Sequence, residues 1–249
     1  AASPNEALFA DIVAQAVVNP ERASAQASDL RMTANQPSAA VDYLIITSAA
    51  LSNSFQALAS HRSAFNSLNT RVLTTEYIDS HYSGAMPNGG SDQQTRIRNC
   101  ITDYVRNYGT LYVVLGGDNT IVPDRDCYVS CGSYIESAMP TDLYYSGLDG
   151  TWDSNSNGIY GEASTEGDLA FDVIVSRIPV RIAAQASNYI AKVKAYETQP
   201  GPLGFSSKTL LCGDQLWNSY TGDSRPADTV GAGYSEFRSH TTVSDAEIW

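Results

Sequence analysis

The sharpest cluster of chemistry-bearing residues is Asp153-Ser154-Asn155-Ser156-Asn157-Gly158, which sets side-chain oxygens at alternate positions and a glycine at the turn. That is the spacing of a calcium-binding D-x-N-x-N-G loop, in which Ca²⁺ takes about six to eight hard oxygen ligands. The ligand set it predicts is Asp153, Asn155, Asn157, the main-chain oxygen of Ile159, Glu162 and Asp168, with Asp149 and Glu166 close enough to add carboxylates. The pattern departs from an EF-hand at the twelfth position, where Ser164 replaces the bidentate glutamate, and no helix pair flanks the loop. The alternative is a solvated Asn/Ser/Gly turn.

Thiol chemistry has less material. Cys100 sits on a helical apolar stripe and Cys212 ends a strand, so both read as buried thiols. Cys127 and Cys131, separated by three residues, suit a local disulfide or a soft metal in a hairpin or loop. Of the histidines, His61 falls on the polar side of a helix, and His81 and His240 lie in polar surroundings with no partner close in sequence. Asp118 follows the apolar run ending Leu115-Gly116-Gly117, just past a strand, where open α/β sheets bind ligands; a turn or cap role is equally open. Neither a G-x-G-x-x-G fingerprint nor a Walker loop is present, which removes support for nucleotide binding.

These residues need a scaffold, and 249 residues with 43% hydrophobic content suffice for a buried core. The net charge of −12 opposes binding to nucleic-acid backbones or anionic membranes and favours cations. No apolar run is long enough to span a membrane, and the low charge with abundant Ser, Thr, Asn and Tyr leans towards a secreted or cell-surface protein.

Ser3-Pro4-Asn5-Glu6 is a capping box, predicting a helix to about Asn19; with the Ala/Ser/Gln-rich stretch that follows it forms a helical extension and linker over 1–40. From Val41 strands and helices alternate. Strands are expected at Tyr43–Ile46, Arg71–Thr74, Leu111–Leu115 and Asp172–Val175. Helices are expected on the face Phe55, Leu58, Ala59, Arg62, Phe65 and Leu68, from a capping box at Ser91–Gln94 to Gly109, and over Ala183–Glu197. Continuously apolar strands separated by amphipathic helices predict a doubly wound, mainly parallel α/β sheet with helices on both faces, over 41–200. After the breaker Gln199-Pro200-Gly201-Pro202, a strand over Lys208–Cys212 and a helix near Ala227–Phe237 begin a second, incomplete subdomain over 201–249.

The order of several short motifs resembles the first half of the gingipain-type (clan CD, family C25) cysteine peptidases. They are Tyr43–Thr47; Val114–Asp118 with Ile121-Val122-Pro123; Pro140-Thr141-Asp142-Leu143-Tyr144-Tyr145; Asp149–Trp152; Asp172–Val180 ending Arg177-Ile178-Pro179-Val180; and Tyr189–Lys192 with Tyr196-Glu197. The resemblance covers roughly 41–212 and implies a caspase-like fold, calcium ions that steady loops, export, and hydrolysis of a protein or peptide substrate by a Cys/His dyad. It implies that the histidine belongs to a His-Gly motif, which this sequence lacks, so that no catalytic residue is expected within the chain and the dyad is expected downstream, in the remainder of the catalytic domain. Asp214, Asp223 and Asp228 fall where the family's specificity loop lies. The competing expectation is a catalytically silent interaction or cell-surface module on the same scaffold.

Overall fold

The computed structural model describes residues 40–131, 134–162, 166–167 and 170–198, and of Cys131 and Tyr134 the backbone alone. The expected N-terminal helix, the strand at Lys208–Cys212 and the helix near Ala227 lie outside the described residues, as does the breaker Gln199–Pro202.

Four five-residue strands, β1 (Tyr43–Thr47), β2 (Thr70–Thr74), β3 (Tyr112–Gly116) and β6 (Ile174–Ile178), form an all-parallel sheet in the order β2-β1-β3-β6. Helices α1 (Ala49–Asn66), α2 (Thr75–His81) and α3 (Gln93–Tyr108) connect the first three strands. The mixed α/β fold with a mainly parallel sheet flanked by helices is thus the one the strand–helix alternation predicts. Every residue of β1 is buried, as a strand covered on both faces demands. Leu44, Ile46, Val113 and Leu115 form one core cluster with Ile97, Cys100, Ile101, Tyr104 and Val105 of α3. On α1, Leu51, Phe55, Leu58 and Ala59 are buried, and the Phe55 ring lies so close to Gly116 that a Cβ there would come within 2.7 Å of it.

Between β3 and β6 the chain leaves the sheet to form an antiparallel hairpin, β4 (Arg125–Cys131) with β5 (Tyr134–Thr141), and a one-turn helix α4 (Leu143–Ser146). After β6, α5 (Ala183–Thr198) buries Ala186 and Ile190.

Several boundaries differ from the sequence expectation for local reasons. The cap of α3 is Asp92, whose carboxylate accepts from Thr95 N (2.8 Å), and not Ser91, whose hydroxyl instead accepts from Arg96. Ser67 adopts a left-handed conformation (φ 58°) and stops α1, leaving Leu68 beyond the helix and Phe65 exposed. β6 starts two residues later than expected because the Asp172 carboxylate accepts from Leu148 N (2.6 Å), pinning that residue to the preceding loop. The short helix α2 went unmarked in the periodicity; its cap is Thr74, accepting from Tyr77 N.

Two buried arginines fasten the hairpin and α4 to α3. Arg98, on the apolar stripe, donates to the carbonyls of Tyr144 (3.0 Å), Gly147 (2.8 Å), Asp149 (3.0 Å) and Gly150 (3.1 Å). Burial pushes its guanidinium below the usual arginine range. Arg125 lies over the rings of Tyr144 and Tyr160 and donates to Asp92 (2.7 Å). Burial works against the Asp92 anion, yet donation from Arg125 and Thr95 outweighs it and holds the carboxyl below its ordinary range. A carboxyl depressed on folding stabilises the protein above its unfolded pKa of about 4, and that contribution disappears as pH falls through the lower folded value. Asp92→Asn is therefore expected to cost on the order of 2 kcal/mol at pH 7 and progressively less on acidification below about pH 4, read by urea denaturation across pH. An equal cost at pH 7 and pH 2 would show that charge pairing is not its origin.

Candidate functional site

The carboxyl ends of β3 and β6 lie side by side, with Gly116 opposite Ile178. Beyond them opens a cleft of about 250 Å³ lined by Asp118, Asn119, Asp124, Pro140, Thr141, Asp142, Arg177 and Pro179. Arg177 organises it. Its Nε and Nη2 donate to the two carboxylate oxygens of Asp142 (2.7 and 2.6 Å), while Nη1 donates to the carbonyls of Gly117 (2.9 Å) and Val122 (2.6 Å). Desolvation opposes its charge, but the Asp142 bonds prevail and raise its pKa further. One planar guanidinium thus satisfies a carboxylate and two loop carbonyls at once, a geometry that lysine cannot reproduce.

Asp118 is both turn residue and cleft wall. Its main-chain oxygen accepts from Ile121 N and Val122 N, and its N–H donates to Val180 O (3.1 Å). Its carboxylate accepts from the Thr120 hydroxyl (2.6 Å) and amide (3.0 Å) and from Arg181 Nε; Thr120 first, then Arg181, keep it below the ordinary carboxylate range.

A second polar assembly lies in the chain between α4 and β6. Trp152, buried with φ 63°, donates its indole N–H to Gly147 O (3.0 Å) and packs edge-on against Tyr144. Asp153, fully buried, accepts from Asn157 N (2.9 Å) and Gly158 N (3.1 Å). Glu162 accepts from the side-chain amides of Asn155 (2.9 Å) and Asn157 (2.6 Å), and the Oδ1 atoms of those asparagines accept from Asn157 N and Ile159 N. Glu166 accepts from Ser154 and Asn155; burial raises its carboxyl, and those donors more than compensate. The structure brings Asp153, Asn155, Asn157, Ile159 and Glu162 into one loop, whereas Asp168 lies outside the described residues. Among the described residues no three His, Cys, Asp or Glu side chains converge as a metal cluster.

Cys100 and Cys127 are poor nucleophiles by environment. Burial pushes Cys100 up to about 12 and Cys127 up to about 11, so both are protonated at neutral pH. A Cys127–Cys131 disulfide is corrected: Cys127 is a free thiol. Both cysteines lie along β4, and four positions of extended chain separate their Cα atoms by roughly 13 Å, beyond the span a disulfide bridges. His81 does have local partners, since it stacks on Tyr77 (3.9 Å) and its Nδ1 contacts Tyr77 O and the Ser80 hydroxyl. His61 is half-buried and stacks on Phe65 (5.2 Å). Cys212, Asp214, Asp223, Asp228 and His240 lie outside the described residues. Asp142 and Arg177 stand in the sequence within motifs that assign neither a chemical role; the signal for Arg177 is an arginine inside a mostly apolar strand, which must find an acceptor.

Residues 36–247 match the family model described as peptidase family C25. The chain belongs to peptidase family C25. Parts of three motifs that carry the resemblance, Val114–Asp118 with Ile121-Val122-Pro123, Pro140–Tyr145 and the run ending Arg177-Ile178-Pro179-Val180, meet at the Arg177 cleft of this C25 chain. No curated protein matches the C25 chain. Among solved structures, the crystal structure of dimeric latent PorU from Porphyromonas gingivalis is similar at 19% identity and a TM-score of 0.40, covering 62% of this chain and 15% of that one. The C25 chain therefore spans about 15% of the length of that relative. No helix among the described residues is long and apolar enough to cross a membrane.

If Arg177 is the tie between these segments, Arg177→Lys is expected to destabilise the C25 chain by about 2–4 kcal/mol in urea denaturation, with Arg177→Gln costing at least as much. Retention of wild-type stability by the lysine variant would reduce the guanidinium to a point charge.

Proposed function

We propose that the protein is part of a secreted, gingipain-like cysteine endopeptidase. Peptide bonds would be hydrolysed by a Cys/His dyad supplied by a part of the protein other than the described residues, and the described residues would serve as the scaffold subdomain. The observation that carries this reading is the family match over 36–247, and the convergence of its motifs on one cleft supports it. The cleft lies at the carboxyl ends of parallel strands, where α/β folds gather binding residues on loops.

In such a reaction a thiolate attacks the scissile carbonyl, an imidazole passes a proton to the leaving amine, and main-chain amides steady the oxyanion. Neither Cys100 nor Cys127 suits the first role, because a buried thiol with a raised pKa holds almost no thiolate at neutral pH. What these residues do is structural: Cys100 fills the core beneath α3, and Cys127 packs at the base of the hairpin.

The test is hydrolysis of fluorogenic peptides by the protein from its natural source, before and after iodoacetamide. Activity should be abolished by the alkylating agent and retained within about twofold in the Cys100→Ala and Cys127→Ser variants. Activity that resists iodoacetamide, or that disappears in either variant while the protein stays folded, would overturn the assignment.

A further inference from the structure

The sequence contains two Asn-Gly steps, Asn88-Gly89 and Asn157-Gly158, and the fold builds them alike. Both glycines take a positive φ, 86° and 82°, and both asparagines are exposed. Each asparagine Oδ1 accepts from the main-chain N–H two residues on, Gly90 for Asn88 (3.1 Å) and Ile159 for Asn157 (2.8 Å). An asparagine before glycine can close on itself, because no Cβ hinders the next main-chain nitrogen as it approaches the side-chain carbonyl carbon. The N–H on Oδ1 favours that attack by steadying the negative charge that gathers there.

The two steps differ in what holds the other reacting groups. At Asn157, Nδ2 donates to Glu162 (2.6 Å), and the Gly158 N–H donates to the buried Asp153 carboxylate (3.1 Å). Cyclisation must strip the proton from Gly158 N and release Nδ2 as ammonia. A carboxylate on each opposes both events, by its charge and by a bond that must break. At Asn88 the Gly89 N–H donates to a neutral acceptor, Met86 O (3.0 Å), which closes the turn Met86–Gly89. No carboxylate among the described residues is hydrogen-bonded to Asn88 or to Gly89.

We infer that Asn88 is a site of spontaneous deamidation, and that Asp153 and Glu162 protect Asn157 from the same reaction. Hydroxide takes the proton of Gly89 N, and the nitrogen attacks Cγ of Asn88. The N–Cγ bond forms as Cγ–Nδ2 breaks, and Nδ2 leaves as ammonia with a proton from water. Water then opens the succinimide ring at either carbonyl–nitrogen bond, giving aspartate or isoaspartate at position 88. The net exchange is water in, ammonia out and a negative charge gained. Asn88 Nδ2 lies against Gly158, where a Cβ would come within 3.1 Å of it. The new carboxylate therefore stands beside the turn that already holds Asp153 and Glu162, and like charges there loosen the contact between the two turns. The inference is independent of the peptidase reading, since it involves neither cysteine chemistry nor substrate.

The experiment incubates the intact, folded protein at neutral and at mildly alkaline pH, digests it in acid and maps the peptides by mass spectrometry, with isoaspartate resolved from aspartate by chromatography. The peptide containing Asn88 is expected to gain the amide-to-acid mass shift, faster as pH rises, with isoaspartate among its products. Asn157 should convert at least about tenfold more slowly, since two hydrogen bonds to charged groups stand in its path. In urea-unfolded protein that difference should nearly vanish, because both asparagines precede glycine. Glu162→Gln keeps an acceptor for Nδ2 but removes the charge; it should speed Asn157 several-fold and leave Asn88 unchanged. An Asn88 that keeps its amide in the folded protein while converting in urea overturns the site. Equal rates at 88 and 157 in the folded protein overturn the protection, and so does a folded Glu162→Gln variant whose Asn157 is as slow as in wild type.

Discussion

One guanidinium holds the carboxyl-terminal end of the sheet together. Arg177 reaches from β6 to Asp142, 35 positions earlier, and to the carbonyls of Gly117 and Val122, 60 and 55 positions earlier. Loops leaving parallel strands have no ladder to fix them, because the sheet ends where they begin, and their main-chain groups still need partners. Arg177 supplies several from a single side chain whose position is set by the β3–β6 register. The cleft depends on that economy: without the clamp, the post-β3 loop and the entry to α4 have no common point of attachment.

The same solution recurs one layer further out. Arg98 takes one main-chain oxygen of α4 and three of the turn that follows it, and Arg125 is enclosed by two tyrosine rings and the Asp92 carboxylate. Tyr144 lies between these cations, its ring facing both, with Trp152 and Tyr160 edge-on to it. Cation–π contacts of this desolvated kind are worth up to about 2 kcal/mol each, comparable to the hydrogen bonds beside them. The excursion between β3 and β6 is therefore held by oriented polar groups around aromatic rings as much as by aliphatic packing, which fits a sequence poor in charge but rich in tyrosine.

This explains what could and could not be read beforehand. β1, β3 and the body of α3 were legible because Leu44–Ile46, Val113–Leu115 and Ile97–Val105 obey the periodicities that burial imposes. Gly109, at φ 71°, ends α3 as a glycine after an amphipathic stripe should. The ends were less legible: whether Ser91 or Asp92 caps α3 is decided by Arg125, 33 positions away, and β6 begins where Asp172 releases the chain. The cleft itself was visible only as motifs in order, since partner choice for Arg177 is a tertiary fact. The pairing of Cys127 with Cys131 failed because nearness in sequence along an extended strand means distance in space.

The loop from Asp153 to Glu166 shows the reverse relation, in which a local motif is legible and its completion is not. Alternating oxygens at 153, 155 and 157 announce a turn that gathers acceptors, and the structure spends most of them on its own amides. A turn serving only itself would end with every buried acceptor satisfied, as Asp153 is. Glu166 enters from outside the repeat, is buried, and takes the amides of Ser154 and Asn155 that open the turn. Trp152 ties the start of this loop to the turn that Arg98 grips, since both donate to Gly147 O, and so joins it to the aromatic layer that carries α4 and, through Asp142, the cleft. The two polar assemblies are in this sense one load path, running from the loop through Tyr144 and Asp142 to Arg177 and the sheet.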